Sequence, residues 1–191
     1  MPTPNKRVAP WLTLSVARGN ALQAGGLIGA AALAWHAGRK GAAGTPWMVA
    51  GRVVAYFSEH AFSHWLVGCA VGIRFACYGL HGTSHPNLYP PGARFLFSRL
   101  PLLSARVEPA SLRAASPAAR AAMYSAGTLG TVLVGLAVPL YGLRRGVPGA
   151  RGLLVASGVA TNAFVVLSEA LRPAGDLRRA WRALRERAEE G

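Results

Sequence analysis

Four stretches of the chain are apolar over most of their length, and each approaches the roughly 20 residues that an α-helix needs to cross a bilayer. The first lies between Arg18 and Arg39 (NALQAGGLIGAAALAWHAG), and the second runs from near Thr45 to Ile73. The third lies between Arg120 and Arg144 (AAMYSAGTLGTVLVGLAVPLYGL), and the fourth between Arg151 and Arg172 (GLLVASGVATNAFVVLSEAL). The pattern predicts an all-α fold: a polytopic membrane protein with about four transmembrane helices plus interfacial helices, residues 1–191 forming a single membrane domain. The second block is too long for one straight span, so it must tilt or lie partly in the interface. Ser116-Pro117 supplies an N-cap and first-turn residue for the third block, and Pro139 predicts a kink at its far end. Gly25 and Gly29 form a GxxxG, a spacing that permits close helix contact, within the protein or at a dimer seam.

The connections carry the charge. With four spans and the N-terminus inside, the segments on the inner side hold 15 of the 21 Lys and Arg residues. The positive-inside rule then places both termini in the cytoplasm. Residues 81–120 form a cytoplasmic or interfacial loop. Within it HPNLYPPG reads as a Pro-rich turn, and Leu96, Leu100, Leu103 and Val107 at helical spacing predict a short surface helix that Pro101 interrupts. Residues 173–191 form a basic amphipathic tail, with Leu177, Trp181, Leu184 and Ala188 on one stripe. It reads as a helix attracted to anionic lipid or as a solvated helix that contacts nothing. The N-terminus has the outline of a signal peptide, with a basic start and a short apolar run to Arg18, but a longer apolar run follows directly.

Composition agrees with a membrane chain. Of 191 residues, 52% are hydrophobic and 15% charged, against about 25% charged in soluble domains. The formal charge of +14 would suit nucleic acid, yet the arginines sit between the uncharged blocks, which excludes that partner. Cys69 and Cys77 form no CxxC and read as buried packing residues.

Against this apolar background the second block carries an odd set of polar residues. On a helix, Arg52, Tyr56, Glu59, His60, Ser63 and His64 fall within one arc of about 140°. Ionisable groups at bilayer depth cost about 2.5–3.5 kcal/mol each on insertion scales, so they mark functional candidates. His60 and His64 stand at i, i+4, the spacing at which two imidazoles hold one metal ion. Ser157, Thr161, Asn162, Ser168 and Glu169 fall roughly on one side of the fourth block, with Asp176 just beyond. A site built between the second and fourth helices, with Asp176 at its rim, follows. Two further histidine sets compete. His81-x3-His85 with His60 and His64 gives two HxxxH pairs, weakly similar to di-iron membrane hydroxylases and desaturases; the plainer reading is a turn-stabilising pair. His36 with His60 or His64 offers two haem ligands, but its place beside Arg39 reads as interfacial.

Paired histidines one turn apart in EHAFSH, the later span SPAARAAMYSAGTLGTVL, and a carboxylate after a Pro near the end of a late helix resemble the site-2 protease-like membrane metalloproteases. The resemblance spans roughly residues 50–180. It implies zinc, with His60, His64 and Asp176 (or Glu169 in its place) as ligands. It also implies a transmembrane protein as substrate or partner. The family's motif is HExxH, and here Ala61 stands where the family has its Glu base. Glu59, on the other side of His60, lies about 40° in helical direction from the Glu of an HxxEH arrangement and one turn earlier. It is the candidate catalytic base of a relative that is either active or degenerate. The contrasting expectation is a non-enzymatic membrane component that uses the polar face for structure, ion passage or partner binding.

Overall fold

The computed structural model describes residues 9–83, 94–95 and 98–189, with side chains described through residue 186. Four long helices correspond to the four apolar blocks: α1 Val16–Lys40, α2 Thr45–Ala70, α4 Pro117–Arg144 and α5 Ala150–Leu171. A short helix, α3 Pro109–Ala114, precedes α4, and α6 Asp176–Glu189 closes the chain. The Ser116 hydroxyl accepts the Ala119 amide at 3.2 Å with Pro117 in the first turn, the cap that the sequence predicts. The helix then continues through Pro139 to Arg144. Within α5, Leu154–Thr161 is wound as a π-helix. The widened turn turns Ser157 and Asn162 inward, where both are buried.

Three strands modify the all-α expectation. β1 Leu12–Leu14, β2 Phe75–His81 and β3 Leu102–Val107 form an antiparallel sheet in the order β1-β2-β3. Residues 94–95 and 98–99 are helical, so the short surface helix expected before Pro101 is present where the chain is described, but beyond Pro101 the helical spacing does not hold. Leu103 and Val107 lie in β3, which pairs His81 with Leu102 and Phe75 with Val107. Cross-strand hydrogen bonds to β2 outweigh a helical spacing that Pro101 already weakened. The Pro-rich turn, Leu96 and His85 lie outside the described residues. The sheet seats on α1 through Tyr78, whose ring fills the space left by the missing side chain of Gly19 and whose hydroxyl donates to Asn20 Oδ1 at 2.6 Å. Burial pushes the Tyr78 phenol up to about 12.

The interior is made of small residues and the exterior of large ones. Buried apolar positions are mostly alanine, including Ala30, Ala34, Ala37, Ala55, Ala61 and Ala126. Gly51 on α2 shows why. A side chain there would begin 2.9 Å from the Ala30 carbonyl oxygen, so only glycine lets α1 and α2 approach this closely. Large apolar side chains point outward on all four long helices: Leu22 and Ile28 on α1, Val53 and Leu66 on α2, Leu129 and Leu133 on α4, Val159 and Phe164 on α5. By length and apolarity, α4 and α5 are each able to cross a membrane; α1 and α2 are as long but fall short of the same apolarity.

Three smaller expectations change. A side chain at Gly25 or Gly29 would meet nothing within 4 Å, so neither serves internal packing. Cys69 is exposed and Cys77 half-buried, both free, so the first is not a packing residue. The tail is not a helix without contacts. Ala180 and Ala183 of α6 pack on Ala121 and Tyr124 of α4, leaving Trp181 and Leu184 of the predicted stripe exposed. The side chain of Ala188 lies outside the described part.

Candidate metal centre

Helix α2 begins at Thr45, so His60 and His64 fall in its C-terminal half, close to the start of α6. There the two imidazoles meet Asp176. Asp176 Oδ2 lies 3.1 Å from His64 Nε2 and 3.3 Å from His60 Nε2. One ligand atom from each of the three residues lies within 4.8 Å of the others, an arrangement that can hold a metal ion. The His64 ring, at 13% side-chain exposure, is the more enclosed, while His60 is 40% exposed.

The opposite edge of each ring is anchored. His64 Nδ1 lies 2.7 Å from the Met123 carbonyl oxygen, which can only accept, so Nδ1 carries the proton. His60 Nδ1 lies 3.2 Å from Thr131 Oγ1, and that hydroxyl donates to the Gly127 carbonyl at 3.1 Å. Thr131 is thereby left to accept from His60 Nδ1. Both neutral imidazoles then turn an Nε2 lone pair toward one carboxylate oxygen. Three acceptors facing one another repel unless a cation stands among them. The contacts are held either by protons on the Nε2 atoms, as hydrogen bonds and ion pairs to Asp176, or by one metal ion that serves all three. Zinc ligands lie about 2.0–2.2 Å from the ion, so tetrahedral neighbours are roughly 3.3 Å apart. The two Nε2–Oδ2 separations match that spacing. The donor set of two imidazoles and one carboxylate, with outer-edge hydrogen bonds fixing each ring, can hold a metal ion.

Asp176 supplies the negative charge. Burial pulls its carboxyl upward, but the protonated forms of His60 and His64, whose Nε2–H groups donate to it, more than offset this and hold it well below the usual carboxylate range. Its other oxygen lies 3.7 Å from Arg179 Nη1.

The centre opens into a cavity of about 420 Å³ between α2, β3, α4, α5 and the start of α6. Glu59, His81, Leu103 and Phe164 share its wall with the three ligand residues. Glu59 is 2% exposed, and neither carboxylate oxygen has a hydrogen-bond partner among the described residues. Glu169, the other ligand candidate, has both oxygens engaged, one by the Asp176 amide and one by Arg172. His81 braces the sheet: Nδ1 contacts the Gly82 carbonyl at 2.6 Å and Nε2 the Ser104 hydroxyl at 2.8 Å. His36 rests edge-on against Trp47, 5.0 Å between centroids. Trp47 is 13 residues before His60, or roughly 20 Å along the helix, so His36 is not placed to share a haem with it.

The polar face of α2 is answered chiefly by α4 rather than by the fourth block. α4 provides Thr131, the Met123 carbonyl and the two close-approach glycines Gly127 and Gly130, while α5 contributes Ser157, which accepts from Arg52 Nε at 2.6 Å. The sequence signal for α4 was GTLGT, small and hydroxyl residues one turn apart inside an apolar run. A side chain at Gly127 would overlap the His64 ring. Gly127→Ala is therefore expected to swing His64 out of the cluster and weaken any metal binding there at least tenfold with little change in helix content. Chelator competition together with circular dichroism checks this, and unchanged affinity would contradict the placement of His64.

No protein-family model, curated protein or solved structure matches the chain. The class that fold and site define is a mainly helical bundle with two helices apolar enough to cross a membrane and a His-His-Asp cluster able to hold a metal ion.

Proposed function

We propose that the chain is a multi-pass membrane protein in which His60, His64 and Asp176 hold one zinc ion, and that this centre belongs to a peptidase-like site acting on a transmembrane protein. One observation carries the metal reading: three acceptor atoms converge while both Nδ1 edges are already hydrogen-bonded. The membrane reading rests on the inverted distribution of size, with alanine and glycine inside and Leu, Ile, Val and Phe outside. In water such a surface would aggregate, whereas membrane bundles pack on small residues and present large ones to lipid. With four spans, the arginine distribution favours a cell-membrane protein with both termini cytoplasmic and with the Trp181 face of α6 against anionic headgroups.

Three protein ligands and an adjoining cavity make the pattern of a catalytic centre rather than a closed structural one. A bound zinc ion would supply Lewis acidity toward a carbonyl and acidify a water molecule. Glu59 is the available base. It adjoins His60 in sequence, lines the same cavity, and neither of its buried carboxylate oxygens is hydrogen-bonded among the described residues. Its role in hydrolysis would be to take the proton from the attacking water and return it to the leaving amine.

Glu59→Gln tests this role. The variant should bind zinc like the wild type and cleave a transmembrane substrate about 10²–10⁴-fold more slowly. A second reading keeps the metal but not the turnover. Ala61, buried at the position of the family's Glu, favours a degenerate site in a non-enzymatic component. Zinc binding in both forms with cleavage in neither would select it.

A further inference from the structure

We infer that Glu169, locked by Arg172, is a positioning residue that sets Asp176 in place for the metal centre; the inference rests on the zinc reading of His60, His64 and Asp176. Asp176 is the first residue of α6, and Gly175 before it has no side chain to cap the helix. The cap comes instead from the preceding helix. Glu169 Oε2 accepts the Asp176 amide at 2.7 Å. Glu169 Oε1 pairs with Arg172, and Arg172 Nε donates to the Ser168 carbonyl at 3.1 Å. The glutamate is therefore held at both oxygens, and its side chain is 12% exposed. Its charge also sits at a helix N-terminus, where the dipole favours an anion. A side chain at Gly175 would overlap the Glu169 carbonyl, so the turn from α5 to α6 is closed tightly over this clamp.

The far part of α6 has its own anchor, with Ala180 and Ala183 against α4 and Arg120 paired with Glu186 at 2.7 Å. Losing Glu169 should therefore leave α6 docked but free its first turn, and the first turn carries Asp176. The residue acts on the metal only through Asp176, because neither of its oxygens is left to coordinate an ion. Partners of this kind are worth about 10–100-fold in metal affinity.

The test measures zinc affinity by competition with a chromophoric chelator on the full chain in detergent, for wild type, Glu169→Ala and Glu169→Gln. The d–d spectrum of the Co²⁺-loaded forms is recorded alongside. Glu169→Ala should weaken zinc binding 10–100-fold and alter the cobalt bands. Glu169→Gln, which keeps a carbonyl oxygen for the Asp176 amide, should recover at least half of that loss on a logarithmic scale. If Glu169→Ala does not fold, Arg172→Met, which releases only the outer end of the clamp, should still lower affinity severalfold. Wild-type protein that binds no zinc would overturn the zinc reading and this inference with it. Wild-type binding with unchanged affinity and spectrum in Glu169→Ala, or in Arg172→Met when that variant is the one used, would overturn the clamp alone. Equal loss in the alanine and glutamine variants would overturn the acceptor role.

Discussion

Replacing His64 with alanine is expected to abolish zinc retention while the helical bundle persists. The substitution leaves His60 and Asp176, and two ligands do not hold zinc against a micromolar chelator. The structural cost is modest by comparison. His64 gives up its contacts to the Met123 carbonyl and to Asp176, hydrogen bonds that contribute about 0.5–1.5 kcal/mol each. The space vacated lies against Gly127 and the cavity, so the defect can fill with water. His60→Ala should behave alike for metal and disturb stability less, since its ring is 40% exposed. Asp176→Asn separates charge from shape: it keeps a carbonyl oxygen near both Nε2 atoms but loses the anion, and affinity should fall steeply. Metal content after dialysis against a zinc-buffered chelator, read beside a thermal melt, checks all three. Full zinc retention in His64→Ala would remove that residue from the ligand set.

The second large effect concerns Arg52 and Glu59, two turns apart on one face of α2. They are 4% and 2% exposed. No direct ion pair joins them among the described residues. Arg52 Nε donates to Ser157, while Arg52 Nη1 and both Glu59 carboxylate oxygens lack hydrogen-bond partners. Each charge offsets part of the other's burial. Removing one partner of a buried opposite-charge pair strands the other and costs about 3–5 kcal/mol, whereas replacing both with apolar groups of similar volume is often close to neutral. Arg52→Met and Glu59→Met should each lower stability by a few kcal/mol, and the double variant should cost clearly less than the sum. Denaturation in detergent of the four members of the cycle measures the coupling. Additive costs would mean that the two charges do not sense each other.

The helices were legible because apolar blocks bounded by arginine are a strong signal, and all four reappear as long helices. The triad was legible for a narrower reason. His60 and His64 share a helix face by spacing alone, and few acidic residues are near enough to a helix end to meet them. Whether Asp176 could reach depended on how far along α2 the histidines lie, and with α2 starting at Thr45 they fall near the α6 end.

What could not be read was long-range. FACYGLH follows the second block across only Gly72 and Arg74, and an apolar run this short reads equally as strand or helix. LLSARV pairs with it across 20 residues of intervening chain, and only that pairing makes either a strand. The role of α4 was hidden because its key contributions are a backbone carbonyl at Met123, a single hydroxyl at Thr131 and the absence of a side chain at Gly127. Only the GTLGT run that holds Gly127 and Thr131 marks them in the sequence, and it does not say what they face. The engagement of Glu169 by Arg172 and the Asp176 amide was not readable, because both meet it only once the turn has formed.

The most direct test of the central claim is the metal content and X-ray absorption spectrum of the full-length wild-type chain, purified in detergent without added metal and then equilibrated with one equivalent of zinc. About one zinc per chain is expected, with imidazole scattering from two histidines and a remaining shell of oxygen. Folded protein that takes up no zinc, or that binds zinc with no imidazole scattering, would contradict the assignment of His60, His64 and Asp176 as a metal centre.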